Sequence, residues 1–159
     1  GADLITLDEE FVITEKYLIL QQIRYGNMLS FEFETDENAG ECMVPALILQ
    51  PIVENAIFHG IEAKGEVGII VITSRLQDYN LIITINDDGI GMSADKVENI
   101  AKQCSKKEYT RNVSIGIANV SGRIRVDFGD EYGINIESEP DIGTTVTLKL
   151  PIIRKKPED

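Results

Sequence analysis

Apolar and polar positions follow two periods along this chain, and the changes of period mark its elements. Thr6-Leu7-Asp8-Glu9 has the form of a capping box, with Glu9 three residues after Thr6. Beyond it Phe11, Leu18 and Tyr25 fall on one side of a helix, with Ile13, Tyr17 and Leu20 alongside. The spacing predicts a helix of roughly 18 residues that stops at Gly26-Asn27. Residues 29–35 (LSFEFET) alternate apolar and polar, as a strand with one wet face does, and residues 36–41 (DENAGE) read as a polar turn. Residues 46–59 (ALILQPIVENAIFH) return to the helical period, with Pro45 suited to a first turn and Gly60 to a stop. Pro51 lies inside this pattern and either kinks the helix or marks a later start.

The β-branched runs 66–76 and 81–87 flank Gln77-Asp78-Tyr79-Asn80, a hairpin signature. A short helix is predicted over 93–104, beginning at Ser93, and residues 105–114 (SKKEYTRNVS) read as a polar, basic, mobile loop. Residues 116–127 open with Gly and place Ile117, Val120 and Ile124 at helical spacing. Strands over 132–138 and 144–150 enclose Glu139-Pro140-Asp141-Ile142-Gly143, and the tail from Arg154 is expected to be frayed. The order is helix, strand, helix, two strands, two helices, two strands. Neighbouring strands can pair as hairpins, so the fold class predicted is an α/β two-layer sandwich.

Composition narrows the function. Of 159 residues, 43% are hydrophobic and 26% charged, a globular mixture for one domain. Fifteen Lys and Arg against 27 Asp and Glu leave a net charge of −12, which argues against nucleic acid as a partner. An anionic ligand is still compatible, because backbone N–H groups bind phosphate without side-chain charge. Cys42 and Cys104 have no CxxC spacing and only one His is present, so neither a disulfide scaffold nor a Cys/His zinc site is expected. No apolar run approaches the length of a membrane span. The opening Gly1-Ala2 has the look of an expression scar, so the chain is expected to be a piece of a longer one.

Four motifs carry the chemistry. Leu81, Ile83, Ile85 and Asp87 share one face by alternation, so Asp87 points where a core would be. A buried carboxylate needs donors, and a purine amine is one; Gly89 and Gly91 let the following backbone approach a flat ring. By itself an Asp-Gly turn is commonplace. Asn55 and His59, four apart, share a helix face. An amide carbonyl suits Mg²⁺ bridging phosphates, although a surface amide and a locally satisfied His are the plainer readings. Ser114-Ile115-Gly116-Ile117-Ala118-Asn119-Val120 opens a helix whose leading N–H groups form an anion site, or merely a close helix entry. Gly143-Thr144-Thr145 enters the last strand, where a Thr hydroxyl can hold Asp87 or a water beside a base. Lys96, Lys102, Lys106, Lys107 and Arg111, then Arg123 and Arg125, form a local basic excess. That excess suits a triphosphate or a solvated face equally.

In this order the motifs resemble the GHKL ATPase superfamily, most closely sensor histidine kinases of the LytS/YesM type. Residues 44–56 with His59-Gly60 are similar to that family's N box. Asp87-x-Gly89-x-Gly91 is similar to the G1 box, and Ser114-x-Gly116-Ile117-x-Asn119-Val120 with Arg123-Ile124 to the G2 box. Gly143-Thr144-Thr145 and Leu150-Pro151 resemble the final box and strand, and Arg24-Tyr25-Gly26 the segment joining dimerisation and catalytic parts. The resemblance implies a Bergerat fold, a mixed, mostly antiparallel sheet with helices on one face. It implies a linker helix over 1–28, the ATP-binding domain over 29–153 and a tail over 154–159. ATP would then contact Asn55, His59, Asp87, Gly89, Gly91, Met92, Ile115, Gly116, Ile117 and Thr144. Asn55 would be on Mg²⁺, Asp87 on the adenine amine, Thr144 near Asp87, and residues 93–113 would form the lid.

It implies further that the γ-phosphoryl passes to a His on a separate helical domain and then to a response-regulator Asp. The setting would be the cytoplasmic part of a membrane-bound homodimer. Phe58, Ser114 and Ile117 depart from the pattern, standing where Lys, Gly and Leu are usual. The only histidine, His59, falls in the N box, so the phosphoacceptor is expected elsewhere. A non-catalytic nucleotide-binding module and a hydrolysing ATPase are the rival readings; hydrolysis would need a carboxylate such as Glu54 to activate water.

Overall fold

The computed structural model describes residues 3–106 and 116–155. Its main sheet comprises β2 (Leu29–Glu34), β4 (Gly68–Gln77), β5 (Asn80–Asp87), β6 (Gly133–Glu139) and β7 (Gly143–Pro151). The strand order is β2-β4-β5-β7-β6, so β5 is central. Only β2 and β4 run parallel; the other neighbours are antiparallel. This is the mixed, mostly antiparallel sandwich that the motif order implies. Asp78 and Tyr79 both have positive φ, giving the two-residue turn whose twist suits a hairpin. A small second sheet pairs β1 (Leu4–Thr6) with β3 (Met43–Pro45), two strands too short to signal themselves by alternation.

Helix α1 (Leu7–Tyr25) begins at the capping box: Thr6 accepts from the Glu9 N–H and its hydroxyl donates to the Glu9 carboxylate. Leu7, Phe11 and Leu18 enter the same core as the sheet residues Ile70, Ile72, Ile83, Ile85 and Leu148. The helix has a second, uncovered apolar side. Ile13 and Leu20 are 36% and 62% exposed, not packed, because Glu10 and Thr14 share the buried stripe with Leu7, Phe11 and Leu18.

The second predicted helix starts late. Residues 46–49 form a turn, and α2 (Gln50–Asn55) begins with Pro51 in its first turn, where a missing N–H costs nothing. Gly60 is not a stop. The helix continues through a π-helical turn (Ala56–Ile61) into α3 (Glu62–Lys64) and ends at Gly65, whose left-handed φ closes it. Helix α4 (Ala94–Cys104) is capped by the Ser93 side chain on the Lys96 N–H. Helix α5 (Gly116–Phe128) packs Ile117, Val120 and Ile124 inward. The start of the tail is tied down: Arg154 bridges Cys42 and donates to the Asn38 carbonyl at 2.9 Å. The expectation of fraying is corrected at Arg154 by that pairing, and residues 156–159 of the tail lie outside the described residues. Ser114 and Ile115, with Lys107 and Arg111, lie outside the described residues, as does most of the loop predicted over 105–114.

Candidate functional site

Asp87 ends the central strand, paired with Ile70 of β4 on one side and Thr144 of β7 on the other. Alternation puts it on the same inner face as Leu81, Ile83 and Ile85, and it is 4% exposed. Its Oδ1 accepts the Gly89 N–H at 2.9 Å. Burial pushes the carboxyl up from 3.8 to about 6; the Gly89 N–H lowers it and the Asp88 charge raises it further.

The loop after Asp87 is fastened on three sides. Asp88 Oδ1 accepts the Ile69 N–H at 2.8 Å, and Lys64 donates to the Asp88 carbonyl at 3.0 Å. Ile90 donates its N–H to the Gly60 carbonyl and accepts the Asp141 N–H. Gly89 lies directly on the Gly60 backbone, where any Cβ would overlap main-chain atoms. The close approach is therefore between the loop and the helix that carries Asn55, as well as toward the cavity. A π turn occurs at this contact and widens the helix there, the setting in which such turns often mark function.

A cavity of about 150 Å³ opens beside Asp87, lined by Asn55, His59, Gly60, Asp87, Gly91, Met92, Lys96, Ile100 and Thr144. That is well below the roughly 300–1,000 Å³ of a drug-sized pocket, and suits one ring rather than a whole nucleotide. One wall comes from α2 and the π turn, one from the sheet end and one from α4. The structure thus brings together Asn55, His59, Asp87, Gly91, Met92 and Thr144. Gly89 stands behind the cavity, supporting Asp87. Gly116 begins α5 against Pro51, and Ile117 is buried in the core; neither lines the cavity. Ile115 falls outside the described residues.

Thr144 does not hydrogen-bond Asp87. Its hydroxyl meets Ser138 Oγ at 2.8 Å, and Ser138 in turn donates to the Gly143 carbonyl and accepts the Met92 N–H. With its own proton on Gly143, Ser138 receives the Thr144 proton, so Thr144 faces the cavity as an acceptor. Ser138 and Ile100 are residues that sequence reasoning missed, while Gly60 was read as part of the N box and as a helix stop but not as a cavity residue. Ile100 lies on the α4 face of Lys96 and Val97, a helical spacing that was available to find it. Ser138 sits on a different strand and no local signal marks it.

One departure from the motif, Phe58, has a structural use, and Glu54 has one of its own. Phe58 packs at the core edge, with the Arg24 guanidinium 5.9 Å from its ring centre. Glu54 accepts from Gln50 at 3.1 Å and its charge helps burial push the Tyr17 phenol up to about 12, so it faces α1 rather than the cavity. Among the described residues, no group of three or more His, Cys, Asp or Glu could hold a metal. Asn55 offers one neutral oxygen at the cavity wall, a donor suited to Mg²⁺ that is already held by phosphates.

Residues 45–154 match the family model described as histidine kinase-, DNA gyrase B-, and HSP90-like ATPase. The chain belongs to this ATPase family. Among curated relatives, the sensor histidine kinase YesM of Bacillus subtilis is 32% identical over 94% of this chain and 24% of that protein. The sensor histidine kinase BtsS of Escherichia coli is 31% identical over 94% of this chain and 24% of its own length. The chain thus spans about a quarter of the curated relatives it matches. The nucleotide-free catalytic domain of histidine kinase ThkA superposes with a TM-score of 0.66 at 21% identity, covering 98% of this chain and 99% of that one. In another structure ThkA is in complex with the response regulator protein TrrA; its TM-score is 0.59 at 23% identity, over 95% of this chain and 42% of that one. In this ATPase family member, then, the cavity at Asp87 is lined from three of the four motif segments together with Lys96 and Ile100 of α4, and the family model spans all of them. Among the described residues no helix is long and apolar enough to cross a membrane.

Proposed function

We propose that this domain binds ATP with Mg²⁺ and presents the γ-phosphoryl group to a histidine on a separate helical dimerisation domain. From there it passes to an aspartate of a response regulator. The observation that carries the reading is Asp87, a carboxylate sunk in the sheet's inner face at the wall of a ring-sized cavity. Asp87 would accept a hydrogen bond from the adenine amine; Gly60, Gly91, Met92 and Ile100 would bound the ring. Asn55 would give its carbonyl oxygen to Mg²⁺, and the leading N–H groups of α5, from Gly116 onward, would meet the phosphates. When bound, Mg²⁺ supplies charge neutralisation on the phosphates. The chain's own residues then bind and orient, and the acceptor nitrogen takes the phosphoryl as ADP leaves. His59, the only histidine in the chain, lines the nucleotide cavity, so the acceptor belongs to the helical partner. The reading extends to the cytoplasmic side of a membrane-bound, homodimeric sensor, as the sensor kinase names of the relatives suggest.

Hydrolysis is the weaker alternative, because Glu54 is turned to Gln50 and Tyr17 and does not reach the cavity wall. Calorimetry with a non-hydrolysable ATP analogue should show saturable, Mg²⁺-strengthened binding. No binding at millimolar analogue sinks the reading. Label appearing on a histidine-bearing dimerisation domain supplied in trans supports transfer. Binding without label favours a docking module, and phosphate release by the chain alone revives the ATPase.

A further inference from the structure

Glu10 is wholly buried on α1, far in sequence from every motif that lines the cavity. Its carboxylate is spent on another segment's backbone. Oε1 accepts the Leu47 N–H at 3.0 Å and Oε2 accepts the Ile48 N–H at 3.1 Å. The Arg123 charge acts on the same carboxylate, and Arg123 donates to the Ala46 carbonyl at 2.9 Å. One turn of chain, residues 46–48, is thus gripped from α1 on one side and from α5 on the other.

That turn is strained in a specific way. Leu47 has φ +64°, a left-handed conformation that a residue with a Cβ adopts only against steric resistance. Its side chain is 54% exposed, so core packing does not hold it there. Leu49, at the N-cap of α2, makes no side-chain capping bond. The start of α2 is held by this lead-in together with the buried Leu49, Ile52 and Val53, and α2 carries Asn55. Arg123 lies two turns along the helix that opens at Gly116, and Gly116 rests on Pro51 of α2.

We propose that Glu10 is a positioning residue for the metal side of the nucleotide site: it holds the 46–48 turn in its strained form and thereby sets the place of Asn55. The inference rests on the ATP·Mg²⁺ reading above. It also makes α1 a lever on that site, since a shift of α1 moves the carboxylate that fixes the turn.

The test uses Glu10→Ala, Glu10→Gln, Leu47→Gly and the Glu10→Gln/Leu47→Gly double variant of the whole chain. Each is titrated with ADP and with a non-hydrolysable ATP analogue, in Mg²⁺ and in EDTA. The gain in affinity that Mg²⁺ confers should fall roughly tenfold in Glu10→Ala, as loss of an outer support does at metal sites. Glu10→Gln, which keeps one acceptor oxygen, should lose less. Metal-free ADP, held through Asp87, should stay within about twofold of the unaltered chain in both. Leu47→Gly removes the backbone cost, so alone it should match the unaltered chain, and in the double variant it should restore much of the Mg²⁺ gain. A merely structural role would lower metal-free and metal-bound affinities together, or lower only the melting temperature; either result overturns the proposal. So does an unchanged Mg²⁺ gain in folded Glu10 variants, or unfolding of all the Glu10 variants including the double one. If the unaltered chain binds no nucleotide in either condition, the ATP reading itself has failed. If it binds and the variants match it, only the role of Glu10 has.

Discussion

Asp87→Asn should move stability and binding in opposite directions. The aspartate carboxyl is raised from 3.8 to about 6 by burial, a shift of roughly two units, or about 3 kcal/mol at 1.36 kcal/mol per unit. Below the unfolded value both states hold the proton and the burial of Asp87 carries no ionisation cost. Between about 4 and 6 the folded chain keeps a proton that the unfolded chain releases, so stability falls as pH rises. Above about 6 the full cost is present. Asparagine has nearly the shape of the protonated acid, still accepts the Gly89 N–H, and does not titrate. Without nucleotide, the variant's advantage over the unaltered chain should therefore grow by about 3 kcal/mol between pH 3 and pH 8. Glu10, also raised by burial, adds the same dependence to both proteins and cancels in the difference. Urea unfolding at several pH values measures this directly. Adenine-nucleotide binding should meanwhile weaken by about 1.5–3 kcal/mol, the usual worth of a hydrogen bond to a charged acceptor. A stability difference that does not change with pH would refute the account of Asp87 as a desolvated carboxylate, whatever the binding result.

The remaining predictions concern the same cavity. Affinity for metal-free ADP should fall as pH drops through about 6, because a protonated Asp87 loses its charged acceptor; Asp87→Asn should lack that inflection when the two titrations are compared. Asn55→Ala should reduce the Mg²⁺-dependent part of binding and leave metal-free ADP less affected; equal losses, read by calorimetry, would argue against a metal contact. Gly89→Ala should destabilise by on the order of 1–3 kcal/mol in urea unfolding, since its Cβ would overlap the Gly60 backbone. Near-native stability would show that the loop and helix can part.

Much of this architecture was legible because its signals are local. The capping box fixed the start of α1, and alternation placed Asp87 inside. Asp78-Tyr79 lies between two β-branched runs, which marked the hairpin. The errors came where tertiary contacts outrank local pattern. Gly60 looks like a helix end, yet the loop at Gly89 packs on it and the helix runs on through a wider turn. Ile13 and Leu20 fit an apolar period, but the buried stripe of α1 includes a carboxylate whose partners are 37 and 38 residues away. Of the cavity, Asn55, Asp87, Gly91 and Thr144 could be found by motif. Ser138, which orients the Thr144 hydroxyl, could not, because its role exists only once β6 and β7 are paired.

The widened turn at Ala56–Ile61 has a consequence for how this segment can change length. A π turn holds one residue more than an α turn spanning the same height. Deleting a residue there would give a more regular helix, ordinarily a mild edit. Here the later turns would keep their phase, because the wide turn already absorbs the extra residue, and Lys64 would keep its grip on the Asp88 carbonyl; what would shift is the stretch that sets His59 and Gly60 at the cavity and the Gly60 carbonyl against the Ile90 N–H. The irregular count thus serves the cavity wall rather than the ends of the segment, and a tidier helix would be the damaged one.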